Sequence, residues 1–186
     1  MSSRAIKKDA TYEDLRAVPE NFVAEILGNE LYATSRPSLP HAHAASVLCG
    51  ELMWPFHRGR NGPGGWLILV EPELHLGSDV VVPDLAAWRR ERLPTLPAAT
   101  HIELAPDWAC EVVSPSTERI DRAKKLWIYA REGVAHVWIV NPTLQTLEIL
   151  RLEEKRWTIV ETFEGRQAVR AEPFAAVPLE LGALWI

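Results

Sequence analysis

Residues Trp108 to Val113 read Trp-Ala-Cys-Glu-Val-Val, an apolar run with a single acid inside it. Side chains of a strand alternate between the two faces of a sheet, so Trp108, Cys110 and Val112 share one face and Ala109, Glu111 and Val113 the other. Glu111 therefore has only apolar strand neighbours on its own side. An ionised carboxylate in such a place needs a cation, a metal ion or several donors, or it takes up a proton. The plain alternative is an edge strand that points Glu111 to water, because glutamate is almost never fully buried unpaired.

The same kind of pattern predicts the other elements. Thr11, with Asp14 three residues on, predicts a capped short helix that stops near Pro19. Two β-prone runs between Asn21 and Thr34 flank Gly28-Asn29 and predict a hairpin, with Glu25 in its first strand. From His41 to about His57, Ala44, Val47, Leu48 and Leu52 recur at helical spacing, and Pro55 limits the helix. Arg58 to Trp66 is glycine-rich but lacks the Gly-Lys-Ser/Thr ending of a phosphate-binding P-loop, which leaves a plain loop. Strand runs from Trp66 onward break at Glu71-Pro72 and Gly77-Ser78, and the second ends at Pro83-Asp84. Beyond a Pro- and Ala-rich stretch, Leu93 to Thr100, and the strand that holds Glu111, a helix opens at Ser114-Pro115-Ser116-Thr117. It runs to about Arg131, where Gly133 stops it. Three further strands lie in Ala135 to Pro142, Gln145 to Leu152 and Arg156 to Phe163. Helices and strands mix without repeats, which predicts a layered α/β domain.

Composition narrows the function classes. The chain has 186 residues, 47% of them hydrophobic, enough for one substantial core and too few to favour two, so a single domain over residues 1–186 is expected. A net charge of -5 argues against coating nucleic acid by bulk electrostatics and leaves room for a local basic patch. The two cysteines, Cys49 and Cys110, have apolar surroundings and no ligand spacing, and read as buried free thiols. The eight tryptophans read as packing residues rather than base-stacking platforms. No apolar stretch reaches the roughly 18 residues of a membrane span, so no membrane association and a cytoplasmic location are expected.

Candidate chemistry gathers around Glu111. Asp84 follows Asp-Val-Val-Val-Pro, where the proline ends a strand and the next side chain can emerge at its tip; alone it could be an ordinary turn aspartate. Asp84, Glu111 and Glu25 could converge on a hard divalent cation. Lys124 and Lys125 follow on the next helix, where a lysine near bound water and a phosphate could orient the nucleophile or offset developing charge. Asp121 stands four residues before Lys125, so a surface ion pair is the competing reading. Apolar phasing puts Ile120, Ala123, Trp127 and Ala130 on one face and Lys125 away from it. Arg89, Arg90 and Arg92, beside Trp88, form the best candidate for phosphate contacts, with a solvated loop as the alternative.

The order of these residues resembles the PD-(D/E)XK nuclease superfamily. Val-Val-Val-Pro-Asp supplies the Pro-Asp, and Cys-Glu-Val-Val-Ser the second acid. Glu-Val-Val-Ser-Pro-Ser-Thr followed by the segment from Asp121 to Pro142 is similar to the Uma-two-type group of restriction-endonuclease-like proteins. The resemblance implies a restriction-endonuclease-like fold, with a central mixed β-sheet flanked by α-helices and an N-terminal β-hairpin. It also implies Mg²⁺-dependent hydrolysis of DNA phosphodiesters, with Mn²⁺ as a possible substitute. Asp84, Glu111 and Glu25 match its metal-binding acids. The superfamily's usual lysine position is occupied by Val113, and Lys125 matches the lysine that the closer group carries on the following helix. His41 matches a histidine at the start of the preceding helix, where capping or packing is the plain role. A homodimer is expected because cutting both DNA strands benefits from two sites. Two other readings stand beside this one: a nuclease-fold DNA-binding or regulatory protein with weak or no catalysis, suggested by Val113, and a metal-free acid/base hydrolase that uses Asp84 and Glu111.

Overall fold

The computed structural model describes residues 5–115 and 117–186; Ser116, in the predicted helix opening, lies outside them. A two-residue strand β1 (Lys7–Lys8) precedes helix α1 (Tyr12–Arg16). The capping box is formed as expected: Asp14 N–H donates to the Thr11 hydroxyl, and the Asp14 carboxylate accepts from Thr11 N–H. Strands β2 (Phe22–Leu27) and β3 (Glu30–Ser35) pair antiparallel. Their turn residues Gly28 and Asn29 have φ of 63° and 62°, the left-handed pair that a two-residue hairpin requires.

Helix α2 (Leu39–Leu52) ends in a π-helical turn, Met53–His57, that holds Pro55. Strands β4 (Trp66–Val70), β5 (Leu74–Leu76), β6 (Asp79–Val81), β7 (Leu85–Arg89) and β8 (Trp108–Val112) follow. The predicted helix after β8 is built from a turn, α3 (Glu118–Ile120), a π-helical turn, Asp121–Lys125, and α4 (Leu126–Arg131). Strands β9 (His136–Asn141), β10 (Thr146–Glu153) and β11 (Arg156–Glu164) form a meander. A short pair, β12 (Ala168–Val169) with β13 (Leu179–Glu180), and a 3₁₀ turn, Leu181–Leu184, complete the chain.

Six strands form the central sheet in the order β11-β10-β9-β8-β7-β4. Only β8 and β9 run parallel; the connection between them is the helical segment, as a parallel crossover requires. The sheet is thus mixed and flanked by helices, as expected. A second sheet, β1-β3-β2-β6-β5, carries the hairpin. One core lies between the central sheet, α2 and the C-terminal segment, around Trp108, Trp138 and Phe174. The other lies between the central sheet, the five-stranded sheet and α4, around Trp88, Ala109, Val113 and Tyr129. The alternation read from β8 is therefore correct: Trp108, Cys110 and Val112 face the first core, Ala109 and Val113 the second. Each buried tryptophan hides roughly 150–250 Å², worth several kcal/mol at about 25 cal/mol per Å². Trp54 and Trp127 are half-exposed or more, whereas Trp66, Trp88, Trp108, Trp138 and Trp185 pack inside. Cys110 is buried and Cys49 only partly so; both are free. Among the described residues no helix is long and apolar enough to cross a membrane.

Candidate active site

The residues between β6 and β7, Val82, Pro83 and Asp84, carry the chain from the five-stranded sheet into the central one. Proline cannot donate to a ladder, so pairing lapses here and the segment's polar groups turn to side chains. Val82 N–H donates to Glu25 Oε1 at 2.8 Å, and Val82 O accepts from Lys125 Nζ at 3.0 Å. Leu85 pairs with Cys110, which leaves Val112 N–H beyond the end of the β7 ladder; Asp84 Oδ2 accepts it at 2.6 Å. Asp84 Oδ1 lies 2.7 Å from His41 Nε2 on the first turn of α2. The N-cap of α2 is Ser38, and His41, three residues on, pairs with the Asp84 carboxylate.

Glu111 stands in the middle of the central sheet, between antiparallel β7 and parallel β9, and is 1% exposed. The edge-strand alternative is therefore wrong. Its Oε1 accepts from Tyr129 Oη at 2.6 Å and its Oε2 from Lys125 Nζ at 3.1 Å. The Lys125 ammonium also lies 2.9 Å from Glu25 Oε1 and 3.7 Å from Asp121 Oδ1. Lys125 is 4% exposed, so the pair with Asp121 is an interior contact and not a surface one. Lys124 points elsewhere, donating to Glu30 at 2.9 Å over the Tyr32 ring. Of the two lysines, Lys125 enters the site.

The helical phase read from apolar residues is overturned here. The buried positions are Ile120, Asp121, Lys125, Ile128 and Tyr129, while Trp127 is 60% exposed with the Arg131 guanidinium over its ring. A face that buries charges among opposite charges cannot be found by an apolar count, and a π-helical turn shifts the register further. Asp121, Lys125 and Tyr129 stand at i, i+4 and i+8, a polar stripe that helical spacing would have placed on one face. Asp121 and Tyr129 are the site residues that the sequence reading missed. Val113, in the superfamily's usual lysine position, belongs to the second core, and the Lys125 ammonium arrives from the helix instead.

Glu25, Asp84, Glu111 and Asp121 line one cleft of about 490 Å³ with Lys125. His41 and Ser38 of α2, Arg36 and Pro37 after β3, and Glu71 complete much of its wall. Burial pushes the Glu111 carboxyl well above the usual carboxylate range; Lys125 opposes that shift, and Asp121, Asp84 and Glu25 add to it. Burial likewise raises Asp121 to about 6, against the pull of Lys125 and with the push of Glu25 and Asp84. Burial alone would lower Lys125, but Glu111 and Glu25 reverse this and hold its ammonium well above the ordinary lysine range. The Tyr129 hydroxyl is raised by burial and by Glu111, so it remains a donor. The cleft thus carries more negative charge than its one buried lysine offsets.

The donor set is made of hard carboxylate oxygens, the kind that Mg²⁺ or Mn²⁺ takes, and Mg²⁺ is usually held by one or two carboxylates with waters completing its shell. Each oxygen of Asp84 and Glu111 accepts one protein hydrogen bond and retains a second lone pair. The residues fit a hydrated divalent cation. They do not form a closed cage: among the described residues, the group of three or more His, Cys, Asp or Glu whose ligand atoms all lie within 4.8 Å is Glu73, His75 and His101, outside this cleft.

The arginine candidates lie at the other end of β7 from Asp84. Arg89 places its guanidinium 4.1 Å from the Trp66 ring centroid, Arg90 donates to His57 O at 3.3 Å, and Arg92 pairs with Asp107 at 2.7 Å. At roughly 3.3 Å per residue, the five residue steps from Asp84 to Arg89 span about 16 Å.

The fold has a counterpart among solved structures. A crystal structure described as a "putative nuclease belonging to DUF820", from Anabaena variabilis ATCC 29413, superposes with a TM-score of 0.74 at 20% identity, covering 94% of this chain and 97% of that one. No curated protein matches the chain. The Uma2 family, described as "Putative restriction endonuclease", matches residues 9–182, nearly the whole sequence and all the cleft residues named above, and the chain belongs to that family.

Proposed function

We propose that this protein is a Mg²⁺-dependent endodeoxyribonuclease whose active site is the cleft between Asp84, Glu111, Glu25 and Lys125. The observation that carries this reading is the gathering of Glu25, Glu111 and Asp121 around a single buried ammonium at the passage between the two sheets, with Asp84 lining the same cleft. Asp84 and Glu111 would hold the cation, with Glu25 beside them. When bound, Mg²⁺ would supply Lewis acidity toward the phosphate and lower the pKa of an attacking water.

The protein's own groups have separable tasks. His41 fixes the Asp84 carboxylate from one side while Val112 N–H fixes it from the other. Tyr129 and Lys125 orient Glu111 in the same way. Lys125 supplies a positive charge where a pentacoordinate phosphate gathers negative charge, and its three donors are already directed by Glu25, Glu111 and Val82 O. Asp121, near 6, can exchange a proton near neutral pH. Arg36 at the cleft wall is a further cation for the substrate's phosphates. Arg89, Arg90 and Arg92 would contact DNA about 16 Å away, along the duplex rather than at the scissile bond. The protein would act in the cytoplasm, as a single domain and as a homodimer that brings two clefts to two strands; light scattering at micromolar concentration checks the dimer.

A second reading has its own support. Both Glu111 oxygens are engaged by Tyr129 and Lys125, which suits a nuclease scaffold that binds DNA with little catalysis. Supercoiled plasmid separates the two. Nicking with Mg²⁺, abolished by chelator and by Asp84→Ala, supports the nuclease. DNA retention without Mg²⁺-dependent nicking supports the binding protein. Cleavage that ignores chelator would point instead to a metal-free acid/base pair.

A further inference from the structure

A second cluster of metal-ligating side chains lies away from the cleft, at the β5 edge of the five-stranded sheet. Glu73 and His75 flank Leu74 on β5, and His101 comes from the long segment between β7 and β8. One ligand atom from each falls within 4.8 Å of the other two. His75 Nε2 is 2.8 Å from Glu73 Oε1, the two imidazoles stack with centroids 3.8 Å apart, and Tyr12 Oη of α1 donates to Glu73 Oε1 at 2.8 Å.

We propose that Glu73, His75 and His101 form a binding site for a borderline transition-metal dication such as Zn²⁺, distinct from the carboxylate cleft. Two imidazoles and one carboxylate suit Zn²⁺, whereas Mg²⁺ prefers oxygen alone. Ligands at about 2.0–2.1 Å from a tetrahedral Zn²⁺ stand roughly 3.3 Å apart, so the three groups must close by about 1.5 Å or less, within the reach of side-chain rotation.

Two independent features support the site. His101 Nδ1 is buried with no hydrogen-bond partner, which leaves a ring nitrogen without the compensation that buried polar atoms normally have. Glu103 Oε1 lies 3.7 Å from the ring's other nitrogen, Nε2, so the nearest acid outside the cluster does not approach Nδ1. The backbones are also fixed in advance. His75 N–H donates to Ile102 O and Ile102 N–H to Glu73 O, both at 3.0 Å, and Leu74 bridges Ile102 in parallel. Filling the site would tie α1, β5 and the 90–107 segment together through Tyr12, Glu73, His75 and His101.

Zn²⁺ titration of the metal-stripped full chain, followed by calorimetry, tests this. With the carboxylate cleft filled by excess Mg²⁺, one equivalent of Zn²⁺ should bind to wild type and to Asp84→Ala alike, and His101→Gln and His75→Gln should each weaken it at least tenfold while circular dichroism reports an intact fold. Zn²⁺ binding lost in Asp84→Ala but kept in both histidine variants would overturn the site, as would no saturable binding below about 100 μM. Should either histidine variant unfold, Glu73→Gln, which keeps the shape of the side chain, gives the same comparison, and unchanged affinity would equally overturn it.

Discussion

Asp121→Asn should stabilise the metal-free protein at pH 8 and do nothing at pH 4. Asp121 is 4% exposed and its carboxyl is raised from 3.8 to about 6, mainly by burial. Between these values the unfolded chain has released the proton that the native state retains, so this group lowers stability as pH rises from about 4 to about 6. Above about 6 it is ionised in both states and the whole penalty is present. A displacement of about two pH units at about 1.36 kcal/mol each amounts to about 3 kcal/mol. The amide mimics the neutral acid, so the variant should gain up to about 3 kcal/mol at pH 8, and saturating Mg²⁺ should narrow the gap by relieving the same charge in wild type. Urea denaturation with chelator at several pH values measures this. If the variant instead loses 1 kcal/mol or more at pH 8, ionised Asp121 is a net support through Lys125, and the claim that the cleft holds excess negative charge fails.

Other substitutions probe the same balance. Lys125→Met leaves Glu25, Glu111 and Asp121 buried without their cation and should cost about 3–5 kcal/mol at pH 8, and less near pH 5, where Glu111 and Asp121, both raised by burial, are protonated more readily; urea midpoints at the two pH values check it. Tyr129→Phe removes a hydrogen bond to a buried carboxylate and should cost about 1.5–3 kcal/mol in the same assay, with a larger loss expected at pH 8 than at pH 4. His41→Ala frees Asp84 on one side and should weaken Mn²⁺ binding about 10–100-fold by calorimetry, with no change in circular dichroism.

Much of the fold was legible because its signals are local. Thr11 with Asp14, the Gly28-Asn29 turn and the alternation through β8 each depend on a few neighbouring residues, and all three formed as expected. Strand β7 was harder to see: Leu85 to Trp88 follows Pro83-Asp84 so closely that it reads as the tail of the preceding run, yet it joins a different sheet. The site was legible through Asp84, Glu111, Glu25 and Lys125, which the structure brings to one cleft. Asp121 and Tyr129 escaped because an apolar count rejects the polar face of a helix, and burial of that face depends on Glu111, contributed by a separate strand. The β12–β13 pair and the C-terminal turn carry weak periodicity and are defined by packing on Phe174 and Trp185.

A nuclease cleft of the kind proposed receives a divalent cation between Asp84 and Glu111. Anomalous scattering from a crystal soaked in Mn²⁺ tests it most directly. A peak is expected in the cleft within about 2.0–2.4 Å of carboxylate oxygens of Asp84 and Glu111, with Lys125 still against Glu111. An empty cleft at saturating Mn²⁺, or a peak confined to His75 and His101, would contradict it.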